Sequence, residues 1–261
     1  MSTAPTPREV YERAAEEGDR RLNQSLLELV ATAFIAGFTI TFGMAALGIV
    51  EANLKAEFGS LAHLGGALAL GTGVVFLVIG RAELFSENFF DPAVRAVEAS
   101  GSYMVGALFR LWSVTFVFNL VGGGLMVAIL TVEGALPPGT EHVFRTTSSE
   151  IVSRGRWAEF ADAISGGVLV TMLSFSLSAV EESVSRILLS YVVGVLLALG
   201  PFSHVVVTVL HVLFGVRSGA PIGVAAIVET TVVVTAGNLV GGLGIGTFTH
   251  VVQARGSEEA E

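Results

Sequence analysis

The chain has 261 residues, 52% of them hydrophobic, no cysteine and a formal net charge of −9. The missing cysteine excludes disulfides, thiolate nucleophiles and thiolate metal sites, and an acidic chain whose single lysine is Lys55 is not built to hold nucleic acid. Its apolar residues gather into runs too long for a soluble core, so it reads as an all-α protein that crosses a lipid bilayer several times.

Residues 1–25, MSTAPTPREVYERAAEEGDRRLNQS, are charged and lack the apolar stretch and small-residue cleavage site of a secretory signal. They predict a short amphipathic or frayed cytoplasmic helix, followed by a membrane domain over 26–255 and a short tail over 256–261. Six stretches supply the roughly 20 apolar residues that a ~30 Å hydrocarbon layer requires: 27–50, 62–90, 103–132, 162–181, 187–214 and 223–252. An even number of spans leaves both termini on one side. That side would carry Arg8, Arg13, Arg20, Arg21, Arg95, Arg186 and Arg255, against Lys55, Arg145, Arg154, Arg156 and Arg217 on the other. The bias favours termini in the cytoplasm and a multi-pass protein of the plasma, or inner, membrane.

The second and fifth spans are interrupted. IGRAELFSENFF breaks at Gly80, and LLALGPFSHVVV breaks at Gly200, where Gly-Pro removes a backbone donor and bends the helix. The third and sixth spans share NLVGG, beginning at Asn119 and at Asn238. Glycines at helical spacing let neighbouring helices approach closely, so packing explains them in the first instance. Their matched positions, with matched breaks, point to two halves of three spans each, inverted relative to one another, with a binding site or pore where the breaks meet.

Irregular backbone at that depth must be buried in protein or line a polar path. Glu83 can tie together the free N–H groups of the first break, a loop-stabilising role, while Arg81 and Glu87 suit a membrane surface as well as a pore. Leu84 and Phe85, at the tip of the break, suit a constriction that excludes water, with Ser86 beside them as a hydrogen-bond donor. His204 stands at the second break and is expected to face the path. His211 is expected to be a hydrogen-bonded core residue, and His63, His142 and His250 to lie near span ends. A bare anion entering a dry ring suffers a desolvation penalty of several kcal/mol or more. A proton or positive charge supplied by histidine removes it when the anion belongs to a weak acid.

AELFS at 82–86, GPFSH at 200–204, the two NLVGG segments and AGFTITFG at 36–43 resemble the formate/nitrite transporters, and the likeness runs from Leu26 to Arg255. That resemblance implies an aquaporin-like fold of six spans and a homopentamer with one path per protomer. It also implies passage of a small monovalent weak-acid anion of the formate, nitrite or hydrosulfide class, with protons as a coupled partner through a central histidine. It assigns Leu84 and Phe85 to the constrictions, Ser86 to the loop hydroxyl, His204 to the central histidine and Leu197 to a further apolar constriction. Thr171 falls where the family carries a polar asparagine, and Arg154 or Arg156 where it carries an anion-attracting lysine, though arginine cannot release a proton as lysine can. The alternative is an aquaporin-like channel for small neutral solutes; the NPA boxes that would favour it are absent. With no HExxH, no Gly-x-Ser-x-Gly and no metal-binding cluster in sight, neither an enzyme nor a cofactor or metal site is expected.

Overall fold

The structure, a computed structural model, describes residues 4–99 and 102–258, and every regular element among them is helical. Helix α1 (Pro7–Leu22) opens with a capping box: Thr6 accepts from the Glu9 N–H, and Glu9 reaches back to the Thr6 N–H. Arg20 and Arg21 close it in the last turn, where positive charge suits the helix dipole. It is neither frayed nor free, since Ala14 shares one apolar cluster with Phe90, Val94 and Val251.

Helix α2 (Leu26–Phe58) is capped by Ser25 and runs for 33 residues, about 50 Å at 1.5 Å per residue, so it outruns the hydrocarbon layer. A short 3-10 turn, Gly59–Leu61, leads into α3 (Ala62–Ile79). Leu54 meets Gly65 and Gly43 meets Gly73, which makes the pair an antiparallel hairpin. A Cβ on Gly43 would sit 2.8 Å from the Gly73 Cα, so only glycine allows this approach.

Helix α3 stops beside the expected break at Gly80. Arg81 has a φ of 51°, the backbone stays unwound to Leu84, and a 3-10 turn (Phe85–Phe89) precedes α4 (Asp91–Glu98). Helix α5 (Ser102–Leu130) follows. Next comes α6 (Thr140–Ser153), an amphipathic helix with no long apolar run, which buries Val143, Phe144 and Ser148 and packs against α9.

Helix α7 (Arg156–Ser178) begins earlier than the expected 162, since its first turns carry Arg156, Glu159 and Asp162, polar residues outside any apolar run, with Asp162 paired to Arg154. Helices α8 (Ser183–Leu199) and α9 (Val205–Arg217) flank the second interruption, and α10 (Val224–Leu239) runs through a π-helical stretch (Val240–Thr247) into α11 (Phe248–Glu258). Helix α11 thus continues past the boundary expected at 255, and residues 259–261 of the expected tail lie outside the described residues.

Among the described residues, Leu26–Ile79 (the α2–α3 hairpin), Met104–Leu130, Arg156–Ser178 and Val224–Gly256 are long and apolar enough to cross a membrane; α8 and α9 are shorter apolar helices. Phe76 and Phe109 are 62% and 72% exposed, part of an apolar surface that faces outward. Inside, Ile40, Leu70, Leu84, Phe85, Val205 and Leu210 belong to one core, so both interruptions end in the centre of the bundle.

Candidate functional site

Unwound backbone away from water must find its partners within the protein. Two asparagines supply them. Asn119, on α5, accepts from the Phe85 N–H at 2.9 Å and donates to the carbonyls of Ala33 at 2.8 Å and Glu83 at 2.9 Å. Asn238, on α10, accepts from the Val205 N–H at 2.9 Å and donates to the carbonyls of Ala163 and Ser203, both at 2.7 Å. Gly37 on α2 and Gly167 on α7 make room, because a Cβ at either would strike the carbonyl of the corresponding asparagine. The NLVGG repeat therefore does more than pack: its first residue brackets a break.

The brackets have a geometric consequence. Asn119 holds the carbonyl before Leu84 and the N–H after it, and Asn238 does the same for His204. Leu84 and His204 thus occupy matched positions, one apolar and one titratable.

His204 is the N-cap of α9, its Nδ1 accepting from the Val207 N–H at 3.5 Å. Its Nε2 lies 2.7 Å from Ser86 Oγ, and both residues are buried. Ser86 and His204 are thus hydrogen-bonded to each other, the direction of donation following the tautomer of the ring. Leu84 and Phe85 are each 5% exposed. The Phe85 ring meets Phe89 and Phe116 edge-on, with centroids 5.0 and 5.1 Å away, and Trp112 Nε1 donates to the Asn88 carbonyl at 2.9 Å.

A cavity of about 450 Å³ has His204 in its wall, together with Leu197, Phe202, Thr208 and His211. Glu51, His63, Glu150 and Arg154 line it as well. Leu84, Phe85, Ser86 and Thr171 do not.

A model of the family described as formate/nitrite transporter matches residues 8–252. The chain belongs to the formate/nitrite transporter family. It is 26% identical over 250 residues to the inner membrane protein YfdC of Escherichia coli K12, covering 94% of this chain and 78% of that protein. With a probable formate transporter of Methanothermobacter thermautotrophicus it shares 23% identity over 260 residues, 92% of this chain and 94% of the other. Among solved structures, an FNT family ion channel superposes with a TM-score of 0.81 at 17% identity, covering 93% of this chain and 98% of that one. A pentameric formate channel with formate bound superposes at 0.70 and 18% identity, covering 91% and 98%. The fold is that of these channels, and the chain is a multi-pass membrane transport protein.

The structure distributes the remaining candidates of this family member unevenly. Leu197 reaches the cavity, and Phe202, which the sequence did not single out, joins it there. Thr171 is buried elsewhere: its hydroxyl donates to the Gly242 carbonyl at 3.2 Å, an acceptor shared with Thr247 at 2.9 Å, so it braces the π-helical stretch. Arg154 lines the cavity but is tied to Asp162 at 2.6 Å, while Arg156 pairs with Glu229 away from it.

Glu83 departs from its expected role as a clasp for backbone N–H groups. Asn119 takes that task, leaving the buried Glu83 carboxylate to meet Arg20 at 3.2 Å, Arg21 at 3.5 Å and Gln24 at 3.3 Å. Arg21 also donates to Asn88 Oδ1 at 3.0 Å and pairs with Asp91 at 3.6 Å. Helix α1 therefore latches onto the first break. Burial opposes ionisation of Glu17, but hydrogen bonds and charge from Arg20 and Arg21 outweigh it and hold that carboxyl down at about 2. Burial likewise opposes the charge on Arg21, and Glu83, Asp91 and Glu17 overcome it, so its pKa is raised.

Proposed function

We propose that this chain is one protomer of a homopentameric pore, channel or secondary transporter, for a small monovalent weak-acid anion of the formate, nitrite or hydrosulfide class. In this reading it spans the plasma (inner) membrane with both termini in the cytoplasm. Six spans form two inverted three-helix repeats, aquaporin-like, with the interruptions after α3 and α8 meeting at the centre. The matched brackets of Asn119 and Asn238 support the repeat. The exposed apolar faces around Phe76 and Phe109 supply surface for neighbouring protomers and lipid, and the similarity to a channel described as pentameric supports five copies.

The observation that carries the reading is the hydrogen bond of 2.7 Å between Ser86 and His204, made where the two interruptions meet. Leu84 and Phe85 exclude water on one side of it, and Leu197 and Phe202 add an apolar wall in the cavity on the other. An anion arriving there gives up hydration worth several kcal/mol. The His204 imidazole is the group it meets. A proton taken from bulk water by the imidazole and then passed to the anion makes the permeant species neutral for the passage of the dry ring and returns the ring to its neutral form. Arg154 draws anions toward the mouth, at reduced strength because Asp162 holds it.

The test is flux of formate, nitrite and hydrosulfide into proteoliposomes between pH 5 and pH 8, for the native chain and for His204→Asn and His204→Ala. The native chain should carry at least one of them more rapidly at low pH, and the variants should lose that dependence while still assembling. Identical pH profiles in all three would remove His204 from the mechanism, and glycerol flux without anion flux would replace the anion reading with a neutral-solute channel.

A further inference from the structure

The cavity beside His204 carries carboxylates in its wall. Glu51, near the C-terminal end of α2, is a buried residue whose side chain is 10% exposed, and it lines that cavity. Its carboxylate packs against the start of α3, where glycine makes room: a Cβ on Gly66 would lie 3.4 Å from Glu51 Oε2. Among the described residues no group donates a hydrogen bond to either oxygen. The carboxylate is met only by Lys55 Nζ, 4.0 Å from Oε1, and His63 Nδ1, 3.6 Å from Oε2, and both of those side chains are more than half exposed. A buried carboxylate with such loose company keeps most of its charge for whatever enters the cavity.

The other charges around it do not cancel that one. Glu150 of α6 lines the same wall and has no ion-pair partner among the described residues. Arg154 is the wall's arginine, and Asp162 of α7 holds it at 2.6 Å. Arg145 of α6 turns to His142 on the exposed face, and Arg110 of α5 is bound to the Leu22 and Gln24 carbonyls at the opposite end of α2. From α9, His204 and His211 bring imidazoles but no fixed charge. Glu51, Glu150 and Asp162 thus face two fixed cations, Lys55 and Arg154, and one negative charge is left over while His63 is neutral. The attraction that Arg154 alone would exert on an anion is outweighed.

A negative cavity treats a weak acid and a strong-acid anion differently. It depletes a monovalent anion and enriches protons by the same factor, so the product of the two, which sets how much neutral acid forms there or at His204, is unchanged. A unit charge about 7 Å away, at an effective dielectric between about 40 and 80, makes that factor roughly three- to tenfold. We propose that Glu51, supported by Glu150, is a specificity-determining group: it turns away anions that have no protonated form near neutral pH, such as chloride and nitrate, and leaves the passage of a weak acid with its proton undiminished. This filter deepens the transport reading above and rests on it for its purpose, yet the field in the cavity is measurable without any flux.

The chain has no cysteine, so Thr147→Cys places a single thiol on the cavity wall. With the full chain in lipid nanodiscs at pH 8, modification of that thiol is timed with two methanethiosulfonates of similar size, the cationic ethyltrimethylammonium and the anionic ethylsulfonate, each normalised to its rate with a free thiol. The cation should be favoured at least fivefold. Glu51→Gln should cut the preference at least threefold, Glu51→Asp should keep it, and raising the salt from about 20 mM to about 1 M should remove most of it, which a merely structural role would not do. No preference, a preference for the anion, or one that survives Glu51→Gln or high salt overturns the proposal. In proteoliposomes at pH 8, without the added cysteine, Glu51→Gln should raise nitrate entry relative to formate entry at least threefold; an unchanged ratio also overturns it. A cation-favouring cavity in a chain that carries none of formate, nitrite and hydrosulfide sinks the transport reading alone, and flux of these through a chain whose cavity shows no preference sinks the filter alone.

Discussion

Ser86 Oγ and His204 Nε2 lie 2.7 Å apart across 118 residues of sequence. The bond joins the ends of two interrupted helical segments, and each end is held by its own asparagine. Removing the hydroxyl leaves a buried ring nitrogen without its partner. Ser86→Ala should therefore lower unfolding stability by about 1–3 kcal/mol, read from thermal melts in detergent, and Ser86→Thr should restore most of it. Equal melting temperatures for Ser86→Ala and the native chain would mean that another partner replaces the hydroxyl.

Asn119→Leu and Asn238→Leu make a matched pair. Each strips partners from one N–H and two carbonyls in the centre of the bundle. Each should cost on the order of 3–5 kcal/mol, seen as loss of folded protein in chemical denaturation. A large cost for one and none for the other would contradict equivalent roles.

Arg21 holds Glu83 and Asp91, both buried, to helix α1. Arg21→Met should destabilise by about 3–5 kcal/mol, since removing one partner leaves buried charge uncompensated. Hydrogen exchange should rise together in residues 7–22 and 80–98. A rise confined to α1 would show that the first break does not depend on the latch.

Acid should loosen the same latch. The Glu17 carboxyl titrates at about 2, below its ordinary value of 4.5, so its contribution is fully present above pH 4.5 and is lost as pH falls toward 2. Hydrogen exchange of α1 should accelerate across that interval, and Glu17→Gln should remove the part of the pH dependence that Glu17 supplies. The same acid response in Glu17→Gln and in the native chain would assign it to other groups.

Leu84→Ala and Phe85→Ala should widen the dry ring. Each opens a cavity in the core at about 2–5 kcal/mol, and discrimination between formate and larger monocarboxylates should fall. Unchanged discrimination in both would move the constriction elsewhere.

Much of this was legible in the chain. Long apolar runs require a membrane, since no soluble core of this size buries them. Gly80 and Gly200-Pro201 mark interruptions because glycine and proline weaken helices locally. AELFS and GPFSH marked the residues that meet at the centre. Four features escaped. Helix α6 is too polar to show as an apolar run, and the π-helical stretch reads like ordinary glycine-rich helix. Thr171 found a carbonyl of that stretch rather than the cavity. Glu83 met arginines from a segment expected to stand apart.

The sequence by itself determined the membrane class, the places where helices stop and the residues at those stops, because hydropathy and backbone chemistry act along the chain. Only the tertiary structure decided which partners they meet: Ser86 with His204, Glu83 with Arg21, and Asn119 and Asn238 with the backbone of the two breaks. Hydrogen bonds and ion pairs between distant segments depend on distance and direction in space, and side chains of the same type are chosen or passed over by fractions of an ångström that no spacing along the chain encodes.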